Sequence, residues 1–207
     1  MENANQNSWW SNCYPSIDYT FNLTGEHKIY ILMNISNSTS LNKMFFRIEY
    51  LKSIFFTEYF NTNNIITMNG IFSSCSSLES VDITNFTTKN VEDMSSLFTL
   101  CSSLTSLDLL NFNTEKVTTM ESMFYGCKLL KSIDLTKFNT QKVKSMNQMF
   151  ANCNSLTSIN ISNFNIQNVT YIKSMFINCY SLKILIFLIL ILINYLLWPI
   201  FFQDVLH

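Results

Sequence analysis

Apolar positions recur through the middle of the chain at a fixed spacing of 26 residues. Segments beginning at Met68, Met94, Met120 and Met146 repeat one pattern four times without insertion or deletion. A phenylalanine column and a cysteine column continue into a fifth, partial copy: Phe72, Phe98, Phe124, Phe150 and Phe176, and Cys75, Cys101, Cys127, Cys153 and Cys179. A fixed period of this length predicts a solenoid in which equivalent residues of successive coils stack.

Each copy contains one short segment of alternating apolar and polar residues, which predicts a β-strand. In the first copy, Val81 and Ile83 would face the core, so the polar residues between them would face solvent. Stacked coils would form a parallel sheet with strands about 4.8 Å apart. The outward positions form a candidate partner-binding face: Ser80, Asp82, Thr84, Ser106, Asp108, Ser132, Asp134, Thr136, Ser158, Asn160 and Ser162.

The segment M-x-x-[MLI]-F-x-x-C-x-x-L spaces its apolar residues as a helix would. It therefore predicts a short α- or 3₁₀-helical turn on the side opposite the sheet. Two further columns are expected to fill the core between strand and turn: Phe86, Phe112, Phe138 and Phe164, and Val91, Val117, Val143 and Val169.

The repeats divide the chain into four regions. Residues 1–40 form a polar N-terminal segment and cap, in which residues 28–33, KIYILM, read as a cap strand. Residues 41–67 are a degenerate copy with one extra residue between Phe55 and Asn61. Intact copies follow at 68–93, 94–119, 120–145 and 146–171, with a partial copy at 172–181. A hydrophobic segment at 182–203 and a short tail at 204–207 complete the chain.

The hydrophobic segment contains 19 uncharged residues, from Ile184 to Phe202. This length predicts a single membrane-spanning helix. A buried final strand with a cap helix, or an aggregation-prone tail of a broken reading frame, are the alternatives. Residues 1–16 show no secretory signal. The orientation stays open, because Lys183 favours cytosolic repeats whereas six glycosylation sequons suit an outer surface: Asn22, Asn34, Asn37, Asn85, Asn160 and Asn168.

Composition excludes several classes of function. Only 13% of the residues are charged and the net charge is −1, so no nucleic-acid partner is indicated. The two histidines, His27 and His207, lie outside the repeats, so the repeats cannot assemble a Ser/His/Asp or Cys/His arrangement. We therefore expect no enzymatic activity, no cofactor and no metal site.

Two columns admit two interpretations each. Stacked cysteines would be close enough for disulfides, but they also suit a column of small buried thiols. Cys13 has no assigned role. Asp82, Asp108 and Asp134, followed by Asn160, could bind cations or a basic partner, or could be solvated surface.

The repeat MFxxCxxLxSLDLxxFNTxxVxxM resembles the BspA-like branch of the leucine-rich repeats, over about residues 41–171. The resemblance implies an α/β solenoid: a right-handed coil with a parallel β-sheet on one face and short helical turns on the other. It also implies non-enzymatic surface proteins of bacteria and protists that adhere to host, matrix or cell-surface proteins.

Together with the hydrophobic segment, the resemblance predicts a membrane-anchored surface recognition protein with a C-terminal hydrophobic helix. Its ligand would be another protein. A tail-anchored cytosolic scaffold and a truncated, non-functional member of the family are the alternatives.

Overall fold

The computed structural model describes residue 35 and residues 37–182. The predicted cap strand, Cys13 and the hydrophobic segment from Ile184 lie outside the described residues. Within the described part, no helix is long and apolar enough to cross a membrane. The right-handed winding and the C-terminal helix stay predictions.

Four of the described coils contain one short parallel strand each. Strand β1 (Ser53–Phe55) pairs with β2 (Ser80–Asp82), and β3 (Ser132–Ile133) pairs with β4 (Ser158–Ile159). In register, Ser53 lies opposite Ser80 and Ser132 opposite Ser158, so the repeat period sets the pairing. The coil between these pairs, residues 94–119, has no strand, although its inward Leu107 and Leu109 are half-buried and buried. The predicted sheet is therefore interrupted at this coil.

A second contact line joins every described coil. Isolated parallel bridges connect residues at one position of the repeat, from Ser40 through Thr67, Asp93, Thr119 and Ser145 to Tyr171. The bridged residues are 27 apart across the degenerate coil and 26 apart thereafter, so the coils lie side by side in sequence order. The protein is therefore a repeat solenoid with parallel strands.

The predicted helical turns are wrong, because the described residues contain no helix. The segment opposite the strands is a series of tight turns with two left-handed residues per coil, such as Ser96 (φ 55°) and Leu100 (φ 60°). The backbone N–H groups of Ser96, Phe98 and Leu100 donate to carbonyls of the next coil, over N to O distances of 2.6–2.9 Å. A helix would use these groups within itself, whereas stacked coils can bond them to a neighbour.

Gly126 occupies the second left-handed position of its coil, with φ at 70°. A Cβ atom added there would lie 2.8 Å from Cδ2 of Leu100, which packs over it from the preceding coil. We expect Gly126→Ala to lower the free energy of unfolding by about 1–2 kcal/mol, measured by urea denaturation. Gly126→Asn is the control, because asparagine occupies this position at Asn152 and Asn178. Equal losses for Ala and Asn would contradict the backbone explanation.

The core is built from columns, one side chain per coil. Six phenylalanines form a continuous stack, with neighbouring ring centroids 5.4–5.9 Å apart and ring planes within 10° of parallel: Phe45, Phe72, Phe98, Phe124, Phe150 and Phe176. All six are buried. Because each ring packs between rings of other coils, no single coil can bury its own core.

The cysteine column is a column of thiols, and the disulfide interpretation is wrong for the five described cysteines. Each thiol donates to the backbone carbonyl of the phenylalanine in the preceding coil, as Cys127 does to Phe98 over 3.2 Å. The same bond recurs at 3.0–3.1 Å in the other coils. Burial raises the pKa of Cys75 to about 11 and of Cys179 to about 12, and raises those of the thiols between them as well.

These raised pKa values predict a loss of stability in alkali. In the unfolded chain a thiol has a pKa of about 9 and is ionised above that pH. The folded thiol stays protonated there, so above about pH 9 the folded state binds more protons than the unfolded state. Stability is therefore retained below about pH 9 and falls as the pH rises further. Per thiol, the fall is about 1.4 kcal/mol for each pH unit above that value.

The measurement is chemical denaturation at pH 8 and pH 10. The control, Cys127→Ser, removes one buried ionisable group and should reduce the fall by about 1 kcal/mol. An identical fall in both proteins would contradict the burial of this thiol.

Candidate binding surface

All eleven outward strand positions are exposed, and their inward neighbours are half-buried or buried. The burial pattern of β2, for example, is exposed at Ser80 and Asp82 and half-buried at Val81 between them. The structure therefore places the predicted residues on one solvent-facing side of the stack. We call these eleven residues the outward strand face.

Two carboxylates of the acidic column close a tight turn where strands β2 and β3 end. Asp82 accepts hydrogen bonds from both the backbone N–H (3.1 Å) and the hydroxyl (2.7 Å) of Thr84, and Asp134 accepts the same pair from Thr136 (2.9 and 2.7 Å). These bonds hold the pKa of Asp82 and of Asp134 below the usual value, with the hydroxyl contributing most. These two carboxylates therefore have a local structural role where β2 and β3 end.

Asn160 makes the same turn without a charge, accepting from the N–H and hydroxyl of Ser162 at 3.1 and 2.8 Å. The column therefore needs an oxygen acceptor rather than an anion. Within residues 37–182, no group of three or more His, Cys, Asp or Glu side chains is placed to hold a metal ion. The turn explains why Asp recurs, and a cation site is not needed to explain it.

Sequence reasoning missed a threonine column that joins the coils. The hydroxyl of Thr114 donates to the carbonyl of Asn139 in the next coil (3.0 Å) and accepts from the N–H of the same residue (2.7 Å). The same double bond is made by the equivalent threonines: Thr62, Thr88 and Thr140. All four are buried. The signal was present as the last threonine of Phe-Asn-Thr, or of Phe-Thr-Thr at residues 86–88.

Two of the glycosylation sequons also join coils. The side-chain amide of Asn85 donates to the carbonyl of Phe56 (2.9 Å), and that of Asn168 donates to Gln141 (2.7 Å). The hydrogen bonds between coils therefore give these two asparagines a structural role. Asn37 and Asn160 are exposed, while Asn22 and Asn34 lie outside the described residues.

A shallow cleft of about 480 Å³ lies away from the strands, beside the start of the described chain. Its lining consists of polar side chains and Ile66, and Lys116 Nζ donates to Asn90 Oδ1 within it (2.8 Å). Residues 37–182 contain no histidine. The cleft therefore lacks the imidazole that a Ser/His or Cys/His arrangement requires.

Sequence reasoning also missed three exposed aromatic residues in the degenerate coil, residues 41–67. Tyr50, Phe55 and Tyr59 are 90%, 66% and 85% exposed, respectively. We call them the aromatic strip. The available signal was that the most degenerate copy carries aromatic residues where the intact copies have polar ones.

The chain is similar in structure to several solved leucine-rich repeat proteins. The chain is similar in structure to the leucine-rich repeat protein TpLRR of T. pallidum, with a TM-score of 0.45, 17% identity, and coverage of 75% of this chain and 76% of that one. It is also similar to a leucine-rich repeat protein from Bacteroides ovatus, with a TM-score of 0.43, 19% identity, and coverage of 69% and 39%.

A third similar structure is a leucine rich cell surface protein from Faecalibacterium prausnitzii, with a TM-score of 0.40, 21% identity, and coverage of 69% and 40%. The chain therefore spans only about two fifths of the length of the second and third structures. All three are leucine-rich repeat proteins.

No curated protein matches the chain in sequence. One family model does match, over residues 16–107 and 102–186, and it is described as a Mycoplasma protein of unknown function, DUF285. These two matches cover most of the 207 residues. The chain therefore belongs to the DUF285 family.

Proposed function

We propose that this chain is a non-enzymatic, membrane-anchored surface protein that recognises or adheres to another protein through its outward strand face. The observation that carries the proposal is the uninterrupted exposure of the eleven predicted residues over four stacked coils. The anchor would be the 19 uncharged residues from Ile184 to Phe202.

A stacked face suits protein recognition because it is organised before binding. The turns at Asp82 and Asp134 hold the ends of their strands, and the buried columns hold the coils below. A partner would therefore order few groups of this protein, which lowers the entropic cost of association. Short hydroxyl, amide and carboxylate side chains present donors and acceptors without long, mobile chains.

Site-specific photo-cross-linking on intact cells tests the face. A photoreactive residue at Ser132, on the outward strand face, is expected to capture a protein partner. The matched control is a photoreactive residue at Gln141, which is exposed in the same coil but follows the strand and its turn. Capture from both positions, or from Gln141 alone, would contradict the proposal.

Location is tested separately with an antibody directed against the repeats. Staining of intact cells is expected if the repeats lie outside the membrane. Staining only after permeabilisation would support a tail-anchored scaffold instead.

Asp108 provides a substitution on the same face. Its carboxylate accepts one hydrogen bond, from the N–H of Leu110 (3.0 Å), and the residue is exposed. We expect Asp108→Ala to cost at most about 1 kcal/mol of unfolding free energy and to weaken capture from Ser132. Asp108→Asn is the control for charge, since Asn160 makes the same turn. Unfolding of Asp108→Ala would show that the assignment of faces is wrong.

A further inference from the structure

The side chains of the aromatic strip are exposed and do not pack in the core. The adjacent Phe56 is buried, with its ring centroid 4.8 Å from that of Phe86, and Phe60 lies 5.6 Å from the same ring. These two residues therefore fill the core at this coil. Phe55 and Tyr59 alternate with them in sequence and face solvent.

The strip replaces polar residues of the intact coils. In the strand pairing, Phe55 lies opposite Asp82, the residue that ends its strand with a turn. In the same register, Tyr50 stands where the next two coils have Ser77 and Ser103. Three large aromatic side chains therefore lie along one coil at the beginning of the outward strand face. Exposed aromatic residues that the fold does not require are typical of protein-binding sites.

The surface next to the strip is acidic. Along the outward strand positions of the two following coils, Glu79, Asp82 and Asp108 are exposed. No Lys or Arg lies between residues 79 and 88 or between 105 and 114. Lys52, which is exposed between Tyr50 and Phe55, lies opposite Glu79 in the strand register. The excess negative charge therefore comes from Asp82 and Asp108, and the next cation at the position of Lys52 is Lys131, in the coil after Asp108. A complementary partner would thus be apolar against the strip and basic beside it.

We propose that the aromatic strip, together with Asp82 and Asp108, docks a segment of another protein that carries apolar side chains followed by Arg or Lys. This inference rests on the proposed function and names its anchor and the chemistry of its partner. The rings of Tyr50, Phe55 and Tyr59 supply the apolar contact and accept cations over their faces. The carboxylates supply charge pairing to the adjoining basic residues and set the direction in which the segment lies.

The test begins with selection of random 12-residue peptides on the immobilised full chain. The affinities of the selected peptides are then measured on variants. Phe55→Asp introduces the residue found at this position in three intact coils, and its melting temperature should be unchanged. It is expected to weaken binding at least tenfold, as loss of an aromatic anchor does. The control is Tyr171→Ser, which removes an exposed tyrosine outside the strip and should leave binding unchanged.

Asp82→Asn tests the charge without disturbing the turn, because Asn160 makes the same turn naturally. We expect the selected peptides to be basic and apolar, and their binding to Asp82→Asn to be weaker and less sensitive to salt. Acidic peptides, or binding that Phe55→Asp leaves unchanged, would overturn the inference.

Further outcomes separate this inference from the proposed function. If peptides lose binding to Ser132→Arg but not to Phe55→Asp, the outward strand face binds protein and only the aromatic anchor is refuted. If no peptides are selected, or if neither variant affects binding, both are refuted. If the unbound protein self-associates and Phe55→Asp abolishes this, the strip binds a second copy, and the heterologous partner is refuted.

Discussion

Replacing Phe124 with alanine is expected to lower the free energy of unfolding by about 3–5 kcal/mol. Its side chain is fully buried, and its ring lies 5.9 Å from that of Phe98 and 5.4 Å from that of Phe150. The substitution would leave a cavity in the middle of a continuous stack. Since neighbouring rings belong to different coils, it would weaken the interfaces on both sides of residues 120–145.

The measurement is urea-induced unfolding of the full chain, with hydrogen exchange in the two flanking coils as a local readout. Phe55→Ala is the matched control, because that ring is 66% exposed and should cost less than about 1 kcal/mol. A loss below about 1 kcal/mol for Phe124→Ala would show that the phenylalanine stack is not the core of the protein.

Replacing Thr114 with valine is expected to cost about 2–3 kcal/mol. Valine keeps the shape of threonine, but it removes the hydroxyl that serves both the N–H and the carbonyl of Asn139. The Thr114 side chain is buried, so water is poorly placed to replace it. The loss is therefore that of two backbone groups left without their partner.

Thr114→Ser separates the hydroxyl from the methyl group, and it should retain most of the stability. Chemical denaturation of the two variants under identical conditions provides the comparison. If serine and valine destabilise the protein equally, the threonine column contributes through packing and not through its two hydrogen bonds.

The stacking could be predicted from the sequence because the period alone specifies which residues meet. Once Phe98, Phe124 and Phe150 are known to be 26 residues apart, their contact follows from coils of equal length. The exposure of Ser80 and Asp82 follows in the same way, because alternation along a strand assigns opposite faces. Neither inference needs the detailed conformation of the chain between the columns.

The turns could not be predicted from spacing. Apolar residues three and four positions apart fit a helix, but they also fit consecutive turns whose backbone groups bond to the next coil. The choice depends on the left-handed backbone conformation at positions such as Ser122 and Gly126. The residue types at these positions do not predict that conformation. The loss of the strand in residues 94–119 has no comparable signal in the sequence.

The candidate face was predictable in position but not in detail. Nothing in the Asp column distinguishes a carboxylate that binds a partner from one that closes a turn, until the bond from Thr84 to Asp82 is seen. The aromatic strip was hidden for a related reason. In a degenerate coil, Phe55 and Phe56 are adjacent, and only the register shows which one is buried.

By itself, the sequence determined the order of the coils, the columns that fill the core and the side of the stack that faces solvent. These properties depend on periodicity, which is a property of the chain alone. The tertiary structure alone decided the backbone path between the columns, the hydrogen bonds of the Cys, Thr and Asp side chains, and the exposure of the aromatic strip. Those properties depend on what the neighbouring coil offers to each group, and that neighbour exists only after the coils have stacked.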